Sequence, residues 1–323
     1  MPQRDAHRIT PTCPRCGYDQ SGAVGTWAEC CPIHGNCPEC GTRFHWSDLY
    51  NPSRQDIPWM VEHARGMTDA GWRTPKMLAR LVWPPGFWGG VGVLVRVRPL
   101  ILLLWCLALS ALLHLAIGVV LYQTQFSRTR LWYPPASGVT DAEIGADAAW
   151  VSLVGGVIET GVPYRGLRSF WANFLSVDVL GFSTPMWSVA ILGFTLIWII
   201  IMLVVPVTRR AAKLRVAHIA RAGILSVFAS VLVIELARCV MAAHLLWRGS
   251  LLLPAIGWSV RSASGLLFLW TVWWWRTAAK RGWSLGAAKG LVSLATLGGL
   301  LGAAVASILT NMNEVSWWMV RWF

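Results

Sequence analysis

The sequence predicts a mainly α-helical fold: a polytopic helical membrane bundle of about five transmembrane helices with a small cysteine-rich module at the N-terminus. Hydrophobic residues make up 55% of the 323 residues and charged residues only 13%, whereas soluble domains carry about 25% charged residues. The apolar residues are concentrated in long runs, and six of the eight cysteines lie among the first 50 residues. These observations exclude a disordered chain and an ordinary soluble enzyme.

Five apolar runs are long enough to cross a bilayer. About 20 apolar residues suffice for one helical crossing, and a segment in lipid must satisfy its own backbone hydrogen bonds. The predicted spans are residues 100–122, 186–205, 222–246, 256–275 and 285–309. They predict an N-terminal module (1–50), a linker (51–99) and a membrane domain (100–323) with a long extracytoplasmic loop (123–185). Within the linker, residues 87–97 are too short to span and are expected to lie in the membrane interface.

The distribution of basic residues predicts the orientation in the membrane. Twelve Lys and Arg residues lie just before the first span, in the loops after the second and fourth spans and at the start of the fifth span, against six on the opposite side. The positive-inside rule therefore places the N-terminus in the cytoplasm and the C-terminus outside, in the inner (cytoplasmic) cell membrane. The net charge of +13 is explained in this way without nucleic acid. Many of the 22 tryptophans end apolar runs, which is typical of a bilayer interface.

The N-terminal cysteines form two C-P-x-C-G knuckles, one with Cys13 and Cys16 and one with Cys37 and Cys40. The two-residue spacing lets both sulfurs of a tight turn face one ion, and the following glycine permits a positive φ. Four thiolates in this pattern favour a structural Zn²⁺, with rubredoxin-like iron as the alternative. Two disulfides are disfavoured because the cytoplasm is reducing.

Three further candidate ligands, Cys30, Cys31 and His34, lie between the knuckles. They are substitute ligands or a second site in one interpretation. In the favoured interpretation they are bystanders, because a structural zinc site is complete with four ligands.

The segments Cys13-Pro-Arg-Cys16-Gly-Tyr-Asp and Cys37-Pro-Glu-Cys40-Gly-Thr-Arg-Phe44 resemble the N-terminal zinc ribbon of a group of bacterial multi-spanning membrane proteins. The later chain is more loosely similar to the same group and to Yip1-type five-helix membrane proteins, through Arg215–Arg221 and residues 273–281. The resemblance implies the four thiolate ligands and no catalytic residues.

Polar side chains inside the predicted spans form a candidate intramembrane cluster: His114, Glu235, Arg238 and Arg261. Glu235 lies roughly 20 Å into its span, so it should face other helices or a wet cavity. Glu235 and Arg238 are three residues apart and are expected to pair within one helix turn, with His114 and Arg261 as the available partners on neighbouring spans. An intrahelical ion pair is favoured over a proton or ion relay. In the linker, Glu62 and His63 are expected to be solvated.

Three classes of function compete. The favoured class is a non-enzymatic membrane protein whose zinc ribbon docks a protein partner. The second is a transporter for a small solute or ion, or a membrane enzyme, that uses the intramembrane polar residues; no H-E-x-x-H, G-x-S-x-G or P-loop motif supports an enzyme. The third, a membrane-tethered nucleic-acid-binding ribbon, is disfavoured because residues 1–50 hold four Arg and five acidic residues.

Overall fold

In a computed structural model of the chain, the described residues are 11–27, 30–132, 140–154, 184–205, 213–246, 253–286 and 288–322. The N-terminal part contains α1 (Ser21–Val24), β1 (His34–Asn36), β2 (Arg43–His45), α2 (Trp46–Tyr50), α3 (Met67–Val82) and α4 (Pro84–Gly90). The longer helices are α5 (Pro99–Trp132), α6 (Asp141–Val154), α7 (Thr184–Val204), α8 (Val216–Leu246), α9 (Leu253–Thr277) and α10 (Ala288–Trp322). Short helical turns cover Pro52–Gln55, Val61–His63 and Ala278–Gly282.

Three helices in the described part of the chain are long and apolar enough to cross a membrane, which indicates a helical membrane protein. They are Pro99–Val120 in α5, Val216–Leu236 in α8 and Ala288–Val305 in α10, and a shorter apolar stretch, Ala190–Val204, lies in α7. These segments overlap four of the predicted spans. The remaining one, 256–275, falls in α9, where the side chains up to residue 264 lie outside the described part. The number of five spans therefore stays a prediction.

The N-terminal module folds around its cysteines. β1 and β2 form an antiparallel hairpin in which Gly35 lies opposite Phe44. A Cβ on Gly35 would lie 2.7 Å from the Phe44 ring, so glycine is required at this close approach. The core of the module consists of Cys13, Cys37, Phe44, Trp46 and Leu49, with Trp27 packed against it. A module this small has few other apolar side chains to bury.

The described chain divides into two compact units. The first combines Met1–Trp105, Ile197–Ser226 and Val272–Leu297. The second combines Cys106–Leu196, Val227–Thr271 and Gly298–Phe323.

The core of the first unit is rich in tryptophan. Trp88 is 2% exposed, and its ring centroid lies 5.2 Å from Phe87, 4.9 Å from Trp274 and 5.9 Å from Trp283. Phe87 and Trp88 belong to the segment 87–97 that is predicted to be interfacial, and both are buried in this cluster. Gly282 approaches Trp88 so closely that a Cβ would lie 2.6 Å from the indole.

In the second unit, the spacing of Thr140 and Glu143 predicts a capping box, and α6 begins with one. The Thr140 backbone N–H donates to Glu143 Oε2 over 2.8 Å, and the Glu143 N–H donates back to Thr140 Oγ1 over 3.3 Å. This reciprocal pair satisfies two of the donors that a helix start leaves open. Farther along the same loop, the sequence predicts an amphipathic stretch on the membrane surface at residues 167–180, which lie outside the described residues.

Candidate metal centre

The four knuckle cysteines come together in the N-terminal module. The sulfur atoms of Cys13, Cys16, Cys37 and Cys40 all lie within 4.8 Å of one another. The Cys13 and Cys40 sulfurs are 3.7 Å apart, and those of Cys16 and Cys37 are 3.6 Å apart. Metal–sulfur bonds of about 2.3 Å in a tetrahedron place the sulfurs about 3.8 Å apart. The arrangement therefore fits one tetrahedral ion between the two knuckles.

Each knuckle is closed in the same way, as its sequence predicts. Gly17 has φ +82° and Gly41 has φ +68°, the left-handed region that glycine adopts without strain. The Gly17 N–H donates to the Cys13 carbonyl and the Gly41 N–H to the Cys37 carbonyl, both over 2.8 Å. The two turns are thus equivalent halves of one four-sulfur site.

Neighbouring side chains form hydrogen bonds with two of the sulfurs. The buried Gln20 places its Nε2 3.3 Å from Cys37 Sγ, and Thr42 Oγ1 lies 3.2 Å from Cys40 Sγ. Burial raises the pKa of Cys13 above its usual 9.0. Burial also raises the pKa of Cys40, but hydrogen bonds with Thr42, Cys16 and Cys37 together outweigh burial and lower the pKa to about 7. A bound cation would stabilise the thiolate form of all four cysteines.

The three other candidate ligands stand apart from this group. In the described part of the chain, the four knuckle cysteines are the one group of His, Cys and acidic side chains close enough to hold a metal ion. Cys30 and Cys31 are exposed, and the His34 ring packs on His45 with centroids 4.2 Å apart. None of them contributes a ligand atom to the four-sulfur group.

The first knuckle contacts the beginning of α8. The Arg215 backbone N–H donates to the Arg15 carbonyl, and His218 Nε2 bonds to the Pro14 carbonyl, each over 2.9 Å. Pro14 and Arg15 are the two residues between the cysteines of this knuckle, so the turn that positions these cysteines also binds α8. No local sequence signal marks this contact, because about 200 residues separate its partners.

The second knuckle is joined to the same region by an exposed ion pair. Lys213 Nζ lies 2.8 Å from Glu39 Oε1 and also donates to the Glu39 carbonyl. Exposed pairs of this kind contribute little to stability. The backbone contacts of the first knuckle are therefore the principal polar link between the module and α8.

A buried ionic network lies in the same unit, and it corrects the expectation that Glu62 and His63 are solvated. Glu62 is 0% and His63 1% exposed. Glu62 Oε1 lies 2.5 Å from Nη2 of the buried Arg221, and Glu62 Oε2 accepts the Arg98 N–H over 3.0 Å. The charged partner that stabilises Glu62 is on α8 and is distant in sequence, so local sequence does not reveal the burial.

His63 bridges two backbone segments in this network. Its Nδ1 accepts the Ile57 N–H over 2.8 Å, and its Nε2 lies 2.9 Å from the Arg96 carbonyl. An acceptor at Nδ1 and a donor at Nε2 require the neutral ring. Burial lowers the pKa of His63 below its usual 6.5, which agrees with this hydrogen-bonding pattern.

Of the candidate intramembrane cluster, the structure brings two residues together. His114 Nδ1 on α5 lies 2.8 Å from Glu235 Oε1 on α8, and Glu235 is 5% exposed. The pair joins two helices, and the predicted intrahelical pairing of Glu235 with Arg238 stays a prediction. The side chains of Arg238 and Arg261 lie outside the described residues.

A second polar contact in this unit joins α7 to α8. Thr195 Oγ1 and Ser230 Oγ are 3.3 Å apart and both residues are fully buried. Hydrogen bonds between side chains of adjacent helices are a common means of association in the membrane.

Comparisons with known protein families, curated proteins and solved structures find no match to this chain.

Proposed function

We propose that this chain is a non-enzymatic membrane protein of five spans in the inner cell membrane, whose N-terminal module is a cytoplasmic zinc ribbon that serves as a docking or scaffold module. The observation that carries the proposal is the four-sulfur group with sulfurs 3.6 and 3.7 Å apart across the two knuckles. Zn²⁺ is favoured over iron because structural four-cysteine sites in the cytoplasm commonly hold it. The zinc ion would hold the two knuckles together and would catalyse no reaction.

The contacts with α8 support a scaffolding role. They fix the first knuckle through backbone carbonyls of Pro14 and Arg15, so the module has a defined position in its unit. On the module, Ile33 is 74% exposed beside the metal-binding hairpin. A large exposed aliphatic side chain on a rigid module is suited to an apolar pocket of a protein partner.

The ribbon proposal is tested by comparing the full-length chain with an Ile33→Asp variant. We expect each to hold one zinc per chain, since Ile33 is no ligand. Affinity purification after cross-linking in cells should recover a protein partner with the wild-type chain and lose it with Ile33→Asp. Recovery of the same proteins with both chains, or of none with either, would refute docking at this surface while the zinc measurement stands separately.

A second candidate function is a proton or ion pathway, favoured by the pairing of His114 with Glu235 in the membrane region. A carboxylate and an imidazole 2.8 Å apart share a proton readily, and intramembrane ionisable groups commonly mark such pathways. Proteoliposomes containing a pH-sensitive dye test it. Proton flux in the wild type that is lost in Glu235→Gln supports the pathway, and equal flux in vesicles with and without the protein refutes it.

A further inference from the structure

The helix α3 lies in the linker, and its exposed face carries both apolar and basic side chains. Trp72 is 78% exposed, and the exposed Lys76 and Ala79 follow it at intervals of four and seven residues, on the same side of the helix. The opposite side of α3 is buried through Met77 and Leu81. The exposed face is therefore not the one that attaches α3 to the protein.

A hydrogen bond fixes the level of α3 relative to the first span. Trp105 Nε1 donates to Thr74 Oγ1 in the middle of α3 over 3.1 Å. Trp105 is six residues inside the apolar segment Pro99–Val120, which is about 9 Å along the helix. Its side chain leans toward the N-terminus of the helix. The middle of α3 is therefore level with the first turns of the span, where a bilayer passes from hydrocarbon to headgroups.

The charges of this segment suit an anionic surface. Arg65, Lys76 and Arg80 are exposed. The acidic Asp69 forms an ion pair with Arg73, with 2.8 Å between Asp69 Oδ1 and Arg73 Nε. An exposed tryptophan beside basic residues at this level is the arrangement by which interfacial helices bind lipid.

We propose that α3 is an in-plane membrane anchor that binds anionic phospholipid headgroups. Trp72 lies at the boundary between headgroups and acyl chains, and Lys76 and Arg65 contact the phosphates. The bilayer is the occupant because the Trp105–Thr74 hydrogen bond holds α3 level with the first turns of a membrane span, with the Trp72 side exposed. The anchor would hold the linker against the membrane whatever the ribbon binds.

A photoreactive amino acid tests the proposal in the full-length chain. Benzoylphenylalanine is placed at position 72, and in a matched variant at Ile33, which is similarly exposed on the N-terminal module. Both proteins are reconstituted in vesicles of equal parts phosphatidylcholine and phosphatidylglycerol and irradiated. We expect a mass increase of one phospholipid at position 72 and none at Ile33. Equal lipid labelling at both positions, or labelling of protein but not lipid at position 72, would overturn the anchor.

A charge reversal tests the preference for anionic lipid. With the photoreactive residue at position 72, phosphatidylglycerol adducts should exceed phosphatidylcholine adducts, and Lys76→Glu should reduce their ratio about fivefold or more, the factor for one basic charge at an anionic surface. Arg43→Glu, on the exposed face of β2, should leave the ratio unchanged. Equal zinc content and gel-filtration profiles confirm that each variant is folded. A ratio that Lys76→Glu does not change refutes headgroup binding by this face.

Discussion

Removing the charge of Glu62 should destabilise the protein strongly, because its partner Arg221 would remain charged and buried. Both side chains are at most 1% exposed. Breaking a buried ion pair by removing one partner costs about 3–5 kcal/mol. Glu62→Gln keeps an oxygen that can accept the Arg98 N–H, so the loss is due to the charge and not to this hydrogen bond. We expect the free energy of unfolding to fall by about 3–5 kcal/mol.

The double variant Glu62→Gln/Arg221→Met separates the ion pair from other effects. It leaves no buried charge at the pair, and the Arg96 carbonyl keeps its contact with His63. Replacing both members of such a pair is often neutral, so most of the lost stability should return. Asp48→Asn is the control, because its pair with Arg54 is exposed and contributes about 1 kcal/mol or less.

The assay is reversible unfolding in mixed micelles of a nonionic detergent and dodecyl sulfate, followed by circular dichroism. All variants must carry the same metal content, so that the comparison reports on the ion pair. The single variant Arg221→Met is measured as well. The reasoning is refuted if the free energy of unfolding of Glu62→Gln stays within about 1 kcal/mol of the wild type. It is also refuted if the double variant loses as much stability as the two single variants added together.

Two further predictions concern His63 and the tryptophan cluster. Burial lowers the pKa of His63 below 6.5 in the folded chain, so its contribution to stability is full above about pH 6.5 and falls as the pH drops below that value. His63→Gln should remove this part of the pH dependence of the free energy of unfolding. Identical pH profiles of the wild type and His63→Gln would contradict this prediction. Protonation would also replace the acceptor that receives the Ile57 N–H. Gly282→Ala should lower stability by about 1–3 kcal/mol through overpacking against Trp88. The control Gly286→Ala, with no atom within 4 Å of the added methyl group, should be nearly neutral. Equal thermal unfolding temperatures of the two variants would refute this packing.

Features encoded in neighbouring residues could be predicted from the sequence. The C-P-x-C-G spacing predicts both knuckles, and Gly17 and Gly41 take the positive φ values expected of them. The Thr140 and Glu143 spacing predicts the capping box. In each case the residues that interact are within four positions of one another, so the local chemistry determines the outcome.

Features that depend on distant partners could not be predicted. Glu62 is buried because Arg221 lies beside it, and nothing near Glu62 in the sequence indicates that. Glu235 had three possible partners in the sequence, and its contact with His114 on α5 depends on helix packing across 121 residues of chain. The link between the N-terminal module and α8 uses backbone carbonyls, which every residue has, so no side-chain pattern marks it.

The central claim is a single zinc ion held by four cysteines, and the most direct test is the metal content of the purified full-length chain by inductively coupled plasma mass spectrometry. We predict one zinc per chain in the wild type and in Cys31→Ser, whose thiol is exposed and outside the four-sulfur group. Cys40→Ser removes one of the four sulfurs and should lose the tightly bound metal. Iron in place of zinc, no metal in the wild type, or full zinc content in Cys40→Ser would contradict the claim.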